Sequence, residues 1–161
     1  MIMKSLPTIL PALLLLSPTA FATSPTAAAA ADSCLGTPTN VGYCTPLTYT
    51  DTTGVYPGNP TTADCLNTCA GVSGDCSVAF TGQDGGGLRK LVLRRPCGFA
   101  IAWGDSGNPP ETTVTMNSQD ILDLFEESLN RFGGAHGGRI AAEGTMTCGG
   151  RNIRWFIRNF D

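Results

Sequence analysis

The clearest pattern of apolar and polar residues predicts an amphipathic helix over Ser118–Phe132. One stripe at helical spacing consists of Ile121, Leu124, Phe125, Ser128, Leu129 and Phe132. Residues three and four positions apart lie on one helix face, so this stripe can pack on a sheet. Asn117 or Ser118 supplies the N-cap, and Gly133 with Gly134 ends the helix.

A shorter helix is predicted after Thr61 or Thr62, either of which can act as its N-cap. It runs through Cys65 and Cys69 and ends at Gly71. The two cysteines are four positions apart and share one helix face. We therefore expect them to bond to other elements and not to each other.

Alternating apolar and polar residues predict strands over residues 76–80, 88–93 and 97–103, with Pro96 ending or bulging the second. Residues 139–148 and 152–160, separated by Gly149 and Gly150, predict a hairpin. In its second strand Arg154, Phe156 and Arg158 alternate with apolar residues, so one face is partly cationic. The order of elements predicts a small α+β two-layer domain, an antiparallel sheet with two helices.

The first 22 residues have the layout of a secretory signal peptide. Lys4 precedes a short apolar run, and small residues follow up to Ala22. Pro7, Pro11 and Pro18 would each interrupt a membrane-spanning helix. We therefore expect a secreted, extracellular protein, with cleavage between residues 22 and 31. Residues 23–43 form a low-complexity segment before a domain over 44–161, and the chain reads as irregular up to about residue 62.

All seven cysteines lie beyond this leader, where the secretory pathway would oxidise them. Their spacing lacks the paired knuckles of a zinc site, and His136 is the only histidine. We expect disulfides and no metal ion. Seven is an odd number, so one thiol is free, capped or bonded to another molecule.

Charge and candidate acid/base residues argue against the common alternatives. A net charge of −3 does not favour nucleic-acid binding. His136, Arg139 and Glu143 match the residue types of a guanyl-type ribonuclease, but the second histidine is absent. The acidic residues of the long helix, Asp123, Glu126 and Glu127, are expected to face solvent with no wall to raise a pKa. We expect neither an enzyme nor a cofactor.

Several short motifs occur in an order that resembles a known family. They are Asp120-Ile121-Leu122-Asp123, Arg131-Phe132, Gly138-Arg139-Ile140, Gly144-Thr145-Met146-Thr147-Cys148 and Trp155-Phe156-Ile157, preceded by Cys44, Ala63-Asp64-Cys65 and Pro96-Cys97-Gly98. Together they resemble the fungal extracellular effector family of candidate necrosis-inducing factors, homologues of the fungal extracellular protein two effector. The chain departs from the family pattern at its C-terminus, from Arg158 to Asp161, and at Pro96.

The resemblance implies two core disulfides among Cys44, Cys65, Cys97 and Cys148. It makes Cys69 and Cys76 an additional bridge and leaves Cys34 unpaired. We therefore expect a monomer, with a covalent dimer through Cys34 as the alternative.

The resemblance also implies a fungal effector that elicits host cell death by binding a host component, for example in a plant. A killer-toxin-like antimicrobial that acts on competing microbes is the alternative, and a small secreted nuclease is less favoured. Candidate binding residues are Arg89, Arg94 and Arg95, beside the glycine-rich loops at residues 83–87 and 133–138. The opposing interpretation is a solvated strand face with plain turns. We expect no stable membrane insertion.

Overall fold

The computed structural model describes residues 41–80, 87–105 and 111–161. The predicted signal peptide and most of the low-complexity segment lie outside these residues. The elements, in chain order, are β1 (Cys44–Pro46), β2 (Thr50–Asp51), α1 (Thr62–Cys69), β3 (Asp75–Phe80), β4 (Arg89–Arg94), β5 (Cys97–Trp103), β6 (Thr112–Asn117), α2 (Ser118–Phe132), a 3₁₀ turn (His136–Gly138), β7 (Ala142–Cys148) and β8 (Arg151–Arg158).

The strands form two antiparallel sheets. The main sheet has the order β1-β7-β8-β5-β4, and β2 pairs with β7 beside β1. Strands β3 and β6 form a separate two-stranded ribbon. Two helices, antiparallel sheets and disulfides confirm the predicted small α+β domain.

The core lies on one face of the main sheet, which we call the inner face. Its centre is made by residues that stand opposite one another on β5 and β8: Phe99 and Ile157, Ile101 and Trp155, Trp103 and Ile153. Phe125 of α2 packs 6.2 Å from Phe99, and Phe80 of the ribbon packs 5.8 Å from Trp103 (ring centroids). Helix and ribbon therefore cover the same face of the sheet.

Helix α2 has the predicted bounds, and its start is fixed by side-chain hydrogen bonds. Asn117 is the N-cap, and it forms a capping box with Asp120. One oxygen of the buried Asp120 carboxylate accepts the Asn117 N–H at 2.8 Å, and the other accepts the Cys44 N–H at 2.8 Å. The cap of α2 thus also holds β1.

Helix α1 is tied to the turn between β4 and β5. Thr61 caps its start in a capping box with Asp64. The buried Thr68 hydroxyl lies 3.2 Å from the Cys97 carbonyl oxygen and 3.4 Å from that of Arg94. The Cys65–Cys97 disulfide joins the same two elements. The turn itself contains the cis peptide bond between Arg95 and Pro96.

The four cysteines of the implied core form two disulfides, Cys44–Cys148 and Cys65–Cys97. The predicted bridge between Cys69 and Cys76 is wrong, because Cys76 is a free thiol while Cys69 is bonded elsewhere. The chain passes from α1 into β3, which places Cys76 opposite Met116 in the ribbon. Burial raises the pKa of the Cys76 thiol, and the nearby charges of Asp120 and Asp75 add to the effect. The prediction for Cys34 lies outside the described residues.

Three strands in the part of the chain that the structure describes were not predicted. β1 and β2 lie in the segment interpreted as irregular chain, and that interpretation is wrong for them. β6 is the third, and it contributes the buried Val114 and Met116 to the core. No helix in the described ranges is long and apolar enough to cross a membrane.

Candidate functional site

The face of the main sheet opposite the core, the outer face, is lined along β8 by long side chains. Arg154, Phe156 and Arg158 point to this face because strand residues alternate with the buried Ile153, Trp155 and Ile157. Their partners on β5 are Ala102, Ala100 and Gly98 respectively. Small residues on the neighbouring strand leave room for the long side chains beside them.

Cations and aromatic rings alternate across this face. The guanidinium carbon of Arg158 lies 4.1 Å from the Tyr56 ring centroid, 5.2 Å from that of Phe156 and 5.3 Å from that of Phe160. Arg154 lies 5.0 Å from the Phe156 ring centroid, and Lys90 Nζ lies 5.8 Å from that of Phe160. These distances are within the range of cation–π attraction. We call this set the arginine–aromatic ladder: Lys90, Phe160, Arg158, Tyr56, Phe156 and Arg154.

The C-terminal end of the ladder depends on a glycine. A Cβ atom at Gly98 would lie 2.9 Å from Phe160 Cδ2 and 2.9 Å from the Val92 carbonyl oxygen. Only glycine therefore lets the Phe160 ring and the Val92 carbonyl group approach β5 this closely. Lys90 Nζ donates to the Phe160 carbonyl oxygen at 2.8 Å, which fixes the same segment from β4.

The ladder is cationic although the whole chain carries a net charge of −3. Glu143 of β7 is an acid in contact with it: Arg154 Nη2 lies 3.7 Å from Glu143 Oε1, and the Tyr56 hydroxyl donates to Oε2 at 3.4 Å. Within the described part of the chain, Arg158 makes no ion pair. Glu143 thus contacts one of the two ladder arginines and leaves the other without an acidic partner among the described residues.

The predicted binding residues Arg89, Arg94 and Arg95 have separate neighbours. The Arg94 guanidinium covers Gly71 at the C-terminal end of α1, where a positive charge is favourable. Arg95 Nε pairs with Asp161 Oδ1 at 3.1 Å, and its side chain is 81% exposed. Arg89 is half-buried at the start of β4. Their role in binding stays a prediction, and only their neighbour Lys90 belongs to the ladder.

The residues compared with a ribonuclease site each have a different partner. His136 Nε2 lies 2.8 Å from Asp51 Oδ2, and Arg139 Nη1 donates to the Asn59 carbonyl oxygen at 2.8 Å. Glu143 belongs with the ladder residues described above. Partial burial raises the pKa of Asp51, but hydrogen bonds from Thr53 and His136 outweigh it and hold that pKa below its usual value.

The family to which the chain belongs follows from a comparison of its sequence with family models. One model matches residues 43–148, and its description is pathogen effector and candidate necrosis-inducing factor. The match runs from before β1 to the end of β7 and contains both described disulfides. The chain belongs to this pathogen effector family. No curated protein matches it. An effector with disulfides is consistent with secretion.

Strand β8 of the effector lies beyond the matched residues, and so do Phe160 and the two ladder arginines. The alternation of arginine and phenylalanine over residues 154–158 was visible in the sequence. The contribution of Tyr56 was not, because about 100 residues of chain separate it from Arg158. Only the fold shows that the two side chains stack.

Elsewhere on the effector, the glycine-rich loops and the acidic face of α2 have local contacts. Residues 83–86 of the first predicted loop lie outside the described residues, and the second loop is held by the contact of His136 with Asp51. Burial, followed by the charges of Asp123 and Glu127, raises the pKa of Glu126. The described residues contain no group of His, Cys, Asp or Glu that could hold a metal ion.

Proposed function

We propose that this effector is secreted and acts on a host by binding one of its components through the arginine–aromatic ladder, without catalysis. The effector family supports a role against a host, and the leader-like first 22 residues support secretion. The separate partners of His136, Arg139 and Glu143 favour binding over acid/base catalysis, since such catalysis needs groups that converge on one substrate.

The observation that carries this proposal is the environment of Arg158. Three rings surround its guanidinium group, which has no carboxylate partner among the described residues. Stacking covers the faces of a guanidinium and leaves its N–H edges directed outward. Side chains that are held in place before binding lose less entropy when a partner arrives. The ladder is therefore a prepared surface for an anionic group.

The test is to infiltrate the purified, oxidised protein into leaves of several plants and to apply it in parallel to fungal and bacterial cultures. A reduced and alkylated sample is the control for the disulfide-held fold. The proposal predicts cell death in leaves that is lost on reduction. Inhibition of microbial growth without a leaf response would contradict it and would favour the antimicrobial alternative.

A further inference from the structure

We infer that the arginine–aromatic ladder binds an extended acidic peptide segment of a host protein, with two carboxylates four residues apart seated on Arg154 and Arg158. This inference rests on the proposed function, because it names the chemistry of the host component. It is carried by the spacing, the pairing and the exposure of the ladder residues.

The spacing of the two arginines matches an extended peptide. Arg154 and Arg158 lie on the same face of β8, four residues apart. A strand rises about 3.3–3.4 Å per residue, so their backbone positions are about 13 Å apart. An extended peptide has the same rise, and its side chains at positions i and i+4 also share one face. The residue at i+2 then lies over Phe156.

The chemistry of the two arginines favours carboxylates. A guanidinium edge offers parallel N–H donors that fit a planar carboxylate in a bidentate pair. Arg158 has no such partner among the described residues, and Arg154 has only the 3.7 Å contact with Glu143. The contact of Arg154 with Glu143 is longer than the 2.6 Å pair of Arg131 with Glu127, so Arg154 can donate to a second carboxylate.

The burial of the central ring argues against other anionic partners. Phe156 is only 5% exposed, and guanidinium groups lie over it, so its ring offers no open face for stacking a sugar. The same cover keeps the Phe156 ring from anchoring the protein at a membrane surface. A second copy of the chain also fits poorly. Asp123 and Glu127 on its helix α2 are about 6 Å apart along the axis, less than half the required spacing.

The experiment measures binding of short fluorescent peptides to the full oxidised protein by anisotropy at low salt. The first peptide carries two glutamates at positions i and i+4 in a strand-forming background of threonine and valine. The second has them at i and i+3, which places them on opposite faces of an extended chain, and the third has glutamines in their place. We expect the first to bind at least about fivefold more tightly than the other two.

Matched variants locate the site. Arg154→Gln and Arg158→Gln should each weaken binding of the first peptide about fivefold. Arg151→Gln is the control, because Arg151 is on the same strand but alternates in step with the inner-face residues, and it should not weaken binding. Urea unfolding checks that each variant is folded. If Arg158→Gln does not fold, peptide binding by Arg154→Gln is the test, because Arg154 stacks on one ring.

Three results would overturn the inference: equal binding of the first two peptides, equal loss in the Arg151 variant, or tighter binding to polygalacturonate or to phosphatidylserine vesicles. If Arg158→Gln loses leaf cell death but the wild-type protein binds none of the peptides, the peptide inference is overturned and the proposed function stands. Spacing-dependent binding without any leaf response would support the peptide chemistry and contradict the proposed function.

Discussion

At the scale of single residues, Gly144 shows how closely two parts of this effector approach one another. It lies in β7 opposite the buried Trp155, and a Cβ atom there would overlap the Thr48 carbonyl oxygen. The same atom would lie 2.7 Å from Trp155 Cζ2. The segment between β1 and β2 can therefore cross the edge of β7 only where a side chain is missing.

Replacing Gly144 by alanine should lower the free energy of unfolding by about 1–3 kcal/mol, because backbone atoms of Thr48 must move. Gly134→Ala is the control. A Cβ atom at Gly134 meets nothing within 4 Å, and its backbone is not left-handed. The control should be neutral or gain up to about 1 kcal/mol. Urea unfolding measures both, and an unchanged midpoint for Gly144→Ala would contradict the close approach.

The contact of Asp51 with His136 predicts a dependence of stability on pH. Hydrogen bonds from Thr53 and His136 outweigh burial and lower the pKa of Asp51 in the folded state. A lowered carboxyl pKa stabilises the fold fully above the unfolded-state pKa of about 4, and the contribution is lost as the pH falls through the folded-state value.

The difference in unfolding free energy between the wild type and Asp51→Asn should therefore be constant near pH 5 and shrink towards pH 2. The exposed Glu111→Gln serves as the control for general charge effects. Urea unfolding across this range is the measurement. A difference that is the same at pH 5 and pH 2 would show that the Asp51 carboxylate does not stabilise the fold.

At the scale of elements, the two helices begin with the same capping box but differ in what the cap holds. Among the described residues, Asp64 of α1 accepts hydrogen bonds only from Thr61, three residues away. Asp120 of α2 accepts the N–H groups of both Asn117 and Cys44. The cap of α2 therefore also contributes to tertiary structure.

Asp120→Ala should cost about 2–3 kcal/mol, since it leaves two N–H groups without their acceptor. Asp64→Ala, which removes a local cap, should cost about 1 kcal/mol. Thermal or urea unfolding compares the two variants. Equal losses would mean that the hydrogen bond from Cys44 adds nothing to the stability of the fold.

The elements also show what periodicity can predict. Ser118–Phe132 was predicted with its bounds because its apolar stripe repeats over four turns. β1 and β2 contain only three and two residues, which is too short for an alternation to be recognised. The ribbon strand β6 alternates threonine with only two apolar residues, Val114 and Met116. Short strands are held by their partners in the fold, and a local pattern cannot show those partners.

The same limit applies to the candidate site. Alternation along a single strand predicts that one face carries Arg154, Phe156 and Arg158. Proximity in sequence predicted the cluster of Arg89, Arg94 and Arg95. It did not predict that the Arg94 guanidinium covers Gly71 at the end of α1, or that Arg95 pairs with Asp161. Phe160 lies two residues beyond Arg158, whereas Tyr56 comes from a segment about 100 residues earlier in the chain. The sequence therefore predicted the strand of the site with Phe156, and the fold showed the contribution of Tyr56.

At the scale of the whole molecule, the two sides of the domain carry different charges. Helix α2 carries Asp123, Glu126 and Glu127 on one side, and the outer face presents the ladder cations Lys90, Arg154 and Arg158 on the other. The Cys44–Cys148 disulfide joins the start of β1 to the end of β7, and the Cys65–Cys97 disulfide joins the middle of α1 to the start of β5. The sheet that displays the ladder is thus braced by covalent links at both of these junctions.

Binding through the ladder is best tested by the leaf response to Arg158→Glu, with Arg151→Glu as a control that makes the same charge change on the same strand. Both proteins are first shown to be oxidised and folded and are then infiltrated over a dilution series. If the ladder binds the host component, Arg158→Glu abolishes cell death and Arg151→Glu matches the wild type. Full activity of folded Arg158→Glu would contradict the claim that the arginine–aromatic ladder binds the host component.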